Sequence, residues 1–124
     1  MNLIRTHKEL EVYKLAFHVA VEIYKISKMF PAEEKYSLTD QIRRSSRSVC
    51  SNISEAFRKR RYPKSFISKL SDSEGEAAET QVWLDFATEF GYLNKEKYEL
   101  LYDNYDHILA QIVIMINSPD KWSN

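Results

Sequence analysis

The sequence is poor in everything that breaks a chain into short pieces. Among 124 residues there are two glycines, Gly75 and Gly91, and three prolines, Pro31, Pro63 and Pro119. So few breakers argue against a turn-rich β fold and leave long stretches free to be helical. A single cysteine, Cys50, excludes an internal disulfide and fits a reducing compartment. No uncharged run approaches the ~18 residues that a membrane span needs. The first eight residues carry Arg5 and Lys8 but no apolar run of the kind a signal peptide has. These absences predict a soluble, cytoplasmic protein that uses no membrane.

Catalytic signals are equally scarce. There is no glycine-rich phosphate loop and no Cys/His cluster. His7, His18 and His107 follow Ile4, Leu15 and Asn104 by three residues, so the Glu-x-x-His pairs of a di-iron bundle are missing. His18 with Glu22 and Asp103 with His107 are four apart, a spacing common on exposed helices. Cys50 lies beside an apolar stripe and reads as a small buried residue. The expectation is a protein without catalysis, metal or cofactor.

What is present is a globular composition, 44% hydrophobic and 29% charged, of a length suited to one domain over residues 1–124. Four helical segments are predicted, at about 10–29, 38–61, 63–90 and 94–117. In the first, Leu15, Val19, Ile23, Ile26 and Phe30 recur at helical spacing. Pro31 stops it, because the residue before proline avoids the α region. The second carries Leu38, Ile42, Ser45, Val49, Ile53 and Ala56. The third starts at Pro63, which suits a first helical turn. It carries Phe66, Leu70, Ser73, Ala77, Gln81, Leu84 and Thr88 and ends at Gly91, a natural cap. Asn94 can cap the fourth, whose stripe is Leu101, Tyr105, Ile108, Ile112 and Met115. Short connections make successive helices antiparallel, so the predicted fold is an all-α, up-down-up-down four-helix bundle.

Two features exceed what a bundle needs. The first is apolar surface. Val82, Phe86 and Phe90, with Trp83 beside them, lie opposite the inward stripe of the third helix. In the first helix Tyr13, Phe17, Ala20 and Tyr24 are also off the main stripe. A bundle helix buries one stripe. Either a wide core or the tail covers these groups, or Val82, Trp83, Phe86 and Phe90 form a subunit interface, and large exposed apolar patches are rare on monomers.

The second is charge. The net charge is zero, yet residues 41–70 hold nine bases and one acid, a net of +8, and residues 71–94 hold six acids and no base, a net of −6. Arg43, Arg47, Arg58 and Arg61 fall on the outer face of the second helix, over about 27 Å, with Ser51 and Ser54 between them. Arg44, Lys59, Arg60 and Lys64 widen the patch. Such a row suits phosphate oxygens, or it is a solvated face paired with the acidic third helix. A polar flank, Gln41, Ser48, Asn52 and Glu55, reads as a hydrogen-bond network between helices, with Glu79 and Gln81 as candidate partners, or as a site.

Several segments together, Phe30-Pro31, 38–44 (LTDQIRR), 52–55 (NISE) and 75–93 (GEAAETQVWLDFATEFGYL), resemble the bacterial four-helix bundle proteins encoded in intervening sequences of 23S rRNA genes. The resemblance covers about residues 10–116. Where that family usually shows Asn-Ile-Ala-Glu-Gly, this chain has Ser54 and Ala56. The resemblance implies a bundle and, for characterised members, a pentamer. A related branch, the accessory proteins of diversity-generating retroelements, is similar in fold, binds nucleic acid through a basic surface and contacts a reverse transcriptase. Only Arg43, Arg44 and Arg47 match its basic part. The cluster at 58–61 is read from this sequence alone. The expected function is a small oligomeric accessory protein that holds RNA or DNA by its backbone. The alternative is a protein-interaction scaffold whose basic and acidic blocks pair between subunits or with a protein partner.

Overall fold

The computed structural model describes residues 4–123. Four helices form: α1 (Glu11–Ser27), α2 (Leu38–Arg58), α3 (Pro63–Glu89) and α4 (Lys95–Ile116). Short 3₁₀ turns occupy His7–Glu9, Ala32–Glu34 and Pro119–Lys121. No strand occurs among the described residues. Each helix packs chiefly on two neighbours, in the closed ring α1–α2–α3–α4.

Hydrogen bonds across the seams fix the directions. Arg43 reaches Ser27, and Ser54 lies 3.2 Å from His7 Nδ1, so α2 descends as α1 ascends. Ser73 donates to the Val49 carbonyl at 2.9 Å and Thr80 to Ser45 at 2.7 Å, which runs α3 against α2. Gln81 donates to Asp106 and Tyr98 to Asp85, which runs α4 against α3. The four helices are all antiparallel to their neighbours in sequence.

Local chemistry sets the ends. Ala87 and Thr88 at the end of α3 receive the N–H groups of Tyr92 and Gly91, at 2.8 and 3.0 Å, the paired bonds of a Schellman cap. Gly91 takes φ 81°, a conformation that L side chains rarely adopt. Asn94 accepts the Lys97 N–H at 2.8 Å and opens α4. Glu34 binds Ser37 and Leu38 at the start of α2, and Tyr92 donates to its other oxygen. These bonds hold its carboxyl below the ordinary value, with Ser37 the main cause. They also tie the α1–α2 connection to the α3–α4 connection.

The predicted stripes of α2 and α4 are buried as read, with Ile42, Val49, Ile53, Tyr105, Ile108 and Ile112 fully enclosed. Two expectations need correction. First, α1 turns Val12, Ala16, Val19, Ile23 and Ser27 inward, leaving Leu15 and Ile26 half-buried. Apolar residues flank both sides of that face, so spacing alone does not centre it. Second, α2 ends at Arg58 rather than Arg61. Tyr62 must be extended ahead of Pro63, at φ −111° and ψ 97°, so the chain leaves the helix beforehand through turn bonds to the Ala56 and Phe57 carbonyls.

Candidate nucleic-acid interface

The outer side of α2 carries few apolar groups, because its inward side takes nearly all of them. Cations and small hydroxyls remain outside, with the acids Asp40 and Glu55. The structure does not assemble them into one row. It divides them into two groups at opposite ends of the helix.

Near the start of α2, the arginines divide between two neighbours, α1 and α3. Arg43 leans onto α1: its Nε donates to Ser27 Oγ at 2.7 Å, and its guanidinium lies 4.7 Å from the Tyr24 ring. Arg47 is exposed and stands 5.9 Å from the same ring. Arg44 turns the other way, into a polar groove of about 500 Å³ between α2 and α3 that also holds Gln41, Ser48, Glu76 and Glu79. The Glu79 carboxyl is pushed above its ordinary value by burial and then by Glu76, and Arg44 only partly offsets this. The predicted outward row therefore loses Arg43, which has partners on α1, and Arg61, which lies beyond the helix. The reason is reach: a long guanidinium stem beside an aromatic neighbour gains more from stacking than from standing in water.

The second group lies at the α2–α3 turn. Arg58, Lys59, Arg61 and Lys64 are exposed, and residues 56–71 contain no carboxylate. Arg60 folds back, its guanidinium 3.9 Å from the Phe57 ring and its Nη1 donating to the Phe57 carbonyl at 2.8 Å. Cations here also oppose the partial negative charge at the end of α2. The turn at His7–Glu9, with Lys8, packs on α2, and the turn at Pro119–Lys121 packs on α3. This end of the bundle thus gathers Lys8 and Lys121 from distant parts of the sequence, together with the acids Glu9 and Asp120 of the same turns.

The polar flank separates into pieces. Asn52 donates to the Ser48 carbonyl and hydroxyl at 3.0 and 3.1 Å. Glu55 takes Lys69 at 2.8 Å, which holds its carboxyl below the ordinary value. Gln41, Ser48 and Glu79 share the α2–α3 groove, whereas Gln81 serves α4, through Asp106 and the Tyr102 carbonyl. The α2–α3 bonds in the core come from Ser45 and Ser73, which lie in the predicted stripes, and from Thr80, which the stripes omit.

Apolar groups remain outside on α3, on α1 and, through Leu100, Val113 and Ile114, on α4. On α3, Val82, Phe86 and Phe90 are 44%, 45% and 52% exposed, and Trp83 is half-buried against the core. The rings run in contact, Trp83 with Phe86 and Phe86 with Phe90. On α1, Phe17 and Tyr24 are 53% and 41% exposed. They line a groove of about 740 Å³ against α2, with Cys50 in its wall. Burial pushes the Cys50 thiol up to about 11, so it is a poor nucleophile. The sequence signalled the α1 rings only as a few aromatics off the stripe. It gave no sign that α2 supplies the other wall.

Among the described residues no three of His, Cys, Asp and Glu are grouped to hold a metal ion, and no helix is long and apolar enough to cross a membrane.

The chain is similar to known proteins in both structure and sequence. A solved protein of unknown function from the S23 ribosomal protein family of Bacteroides thetaiotaomicron is 30% identical, with a TM-score of 0.77 over 86% of this chain and 95% of that one. No curated protein sequence matches. The family described as 23S rRNA-intervening sequence protein matches residues 8–113. With that match running through all four helices, the chain belongs to the 23S rRNA-intervening sequence protein family.

Proposed function

We propose that this chain is a non-catalytic, homo-oligomeric accessory protein that holds the phosphate backbone of RNA or DNA. The observation that carries the reading is the carboxylate-free turn between α2 and α3, with Arg58, Lys59, Arg61 and Lys64 exposed on it. Guanidinium and ammonium groups grip phosphate oxygens without reading bases, and each contact releases counterions. A single small patch binds weakly. Repeating it in an oligomer multiplies its effect through effective concentration. Five subunits is the number that the family resemblance implies, and the exposed Val82, Phe86 and Phe90 are the surface that supports assembly.

The test is fluorescence anisotropy with a labelled polynucleotide across a salt series. Arg58→Glu with Arg61→Glu is expected to weaken binding at least ~10-fold and to reduce the log–log salt slope by about 2, with the thermal midpoint unchanged. An affinity that stays flat with ionic strength would remove the phosphate reading.

The second reading is a protein-interaction scaffold. It is favoured by one observation: Arg44 already shares a groove with Glu76 and Glu79, so the basic and acidic blocks do meet across α2 and α3. In that case the same double reversal leaves no nucleic-acid binding to lose and disrupts a protein complex instead. A polymerase of the reverse-transcriptase kind is the partner that the resemblance implies.

A further inference from the structure

The groove between α1 and α2 is apolar along its length and cationic at one end. Its α1 side is Tyr13, Phe17, Ala20, Val21 and Tyr24. From Tyr13 to Tyr24 this side runs about 16 Å at the helical rise. Facing it, α2 supplies Cys50 and the hydroxyls of Ser51 and Ser54. At the Tyr13 end the rings of His7, Tyr13 and Phe17 follow one another at 4.7 and 6.0 Å, and His7 Nδ1 lies 3.2 Å from Ser54 Oγ. The volume, about 740 Å³, falls within the ~300–1,000 Å³ of small-molecule sites.

The charge is gathered at the Tyr24 end. Arg43, Lys28 and Arg47 stand 4.7, 4.8 and 5.9 Å from the centre of that ring. A ring face attracts a cation but does not take up its N–H donors. Arg43 gives its Nε to Ser27 and reaches the Tyr24 carbonyl only at 3.5 Å. Among the described residues no ion pair joins any of the three cations to a carboxylate, and no carboxylate lines the groove. Arg47 also borders the α2–α3 groove that holds Glu76 and Glu79, so Arg43 and Lys28 are the cations that belong to this end alone.

We propose that the α1–α2 groove binds a single-chain anionic amphiphile, a free long-chain carboxylic acid. Its tail lies along Tyr13, Phe17 and Val21, and its carboxylate sits among Lys28, Arg43 and Arg47 beside Tyr24. Charge complementarity selects this occupant. A polynucleotide carries a phosphate at every step, whereas the cations here are confined to one end. An extended peptide brings an N–H and a C=O at every residue, which are costly to bury unpaired, and the apolar wall offers them no partner. A hydrocarbon tail asks for none, and one carboxylate accepts several charge-assisted hydrogen bonds at once. The site uses none of Arg58, Lys59, Arg61 and Lys64, so it stands or falls apart from the phosphate-backbone reading.

The test is isothermal titration calorimetry of the full chain with decanoate, laurate and myristate, each below its micellar concentration. One molecule per chain is expected, with affinity rising roughly 10-fold for every two carbons added to the tail. Lauryl alcohol, which keeps the tail and lacks the charge, is expected to bind at least ~10-fold more weakly than laurate. Lys28→Gln with Arg47→Gln is expected to remove most of that gap by weakening laurate and leaving the alcohol unchanged. Phe17→Glu is expected to weaken acid and alcohol alike, with circular dichroism verifying its fold. No binding by the parent chain, equal affinity for laurate and lauryl alcohol, or several molecules per chain would overturn the site. So would parent-like binding by Phe17→Glu. If that variant is misfolded, the tail and head series on the parent chain decides by itself.

Discussion

The second and third helices are packed against each other and are built on opposite plans. α2 divides cleanly: ten buried positions face the bundle, and its exposed residues are all polar, Arg44, Arg47 and Arg58 with Ser51 and the acids Asp40 and Glu55. α3 does not divide. Its far half is apolar inward, through Leu84 and Ala87, and apolar outward, through Val82, Phe86 and Phe90. A helix with one apolar face is fully used by its own bundle, and what is left is a charged surface for a charged partner. A helix with two apolar faces has one more face than its bundle can cover.

The largest effect that sharpens this contrast lies within α3 itself. Leu84→Ala removes a fully buried side chain and is expected to cost ~2–5 kcal/mol. Phe86→Ser, two positions on, is expected to change the stability of the isolated monomer by less than about 0.5 kcal/mol. Denaturant midpoints measured under dissociating conditions check the pair. An equally large loss at Phe86 would mean that the outer stripe belongs to the core after all.

A smaller effect separates shape from charge. Gly75 is exposed in the middle of α3, and a Cβ added there meets nothing within 4 Å. Gly75→Ala is expected to stabilise the chain by about 1 kcal/mol, through helix propensity and a less free unfolded chain. A thermal scan reads this directly. Destabilisation would show that the smooth surface at Gly75 is itself in contact, as in an assembled state.

The smallest effect concerns the charge seam between the two helices. Lys69 holds the Glu55 carboxyl below its ordinary value, chiefly by their hydrogen bond. A depressed carboxyl contributes stability above its unfolded pKa and loses it as the pH falls through the folded one. Glu55→Gln is therefore expected to lower stability slightly at neutral pH and to converge with the parent in acid. Both groups are solvated, so the difference is modest. Paired pH–stability curves test it, and curves that remain parallel into acid would show that the seam contributes nothing.

How far the sequence could be read depended on where each property is decided. The inward residues of α2 were legible because a lone apolar stripe can face only one way, and the stripe of α4 was read correctly although Leu100, Val113 and Ile114 stay exposed beside it. α1 was less so: Leu15 and Ile26 compete with Val12 and Ala16, and only the neighbouring helices choose between them. The arginines were legible as a cluster and not as a surface. Tyr24 draws Arg43 toward α1, and the acids of α3 share a groove with Arg44. Both neighbours are remote in sequence, so spacing along α2 carries no trace of them.

The sequence by itself determined four helices, their ends at Pro63, Gly91 and Asn94, and the separation of a basic block from an acidic one. These follow from backbone conformation, capping and periodicity, all of which act over a few residues. Only the tertiary structure decided which cations remain outside, that α1 and α2 enclose an aromatic groove, and that this groove and the α3 stripe face opposite ways. Those outcomes depend on which side chains meet across helices, and the packing of the whole bundle sets that.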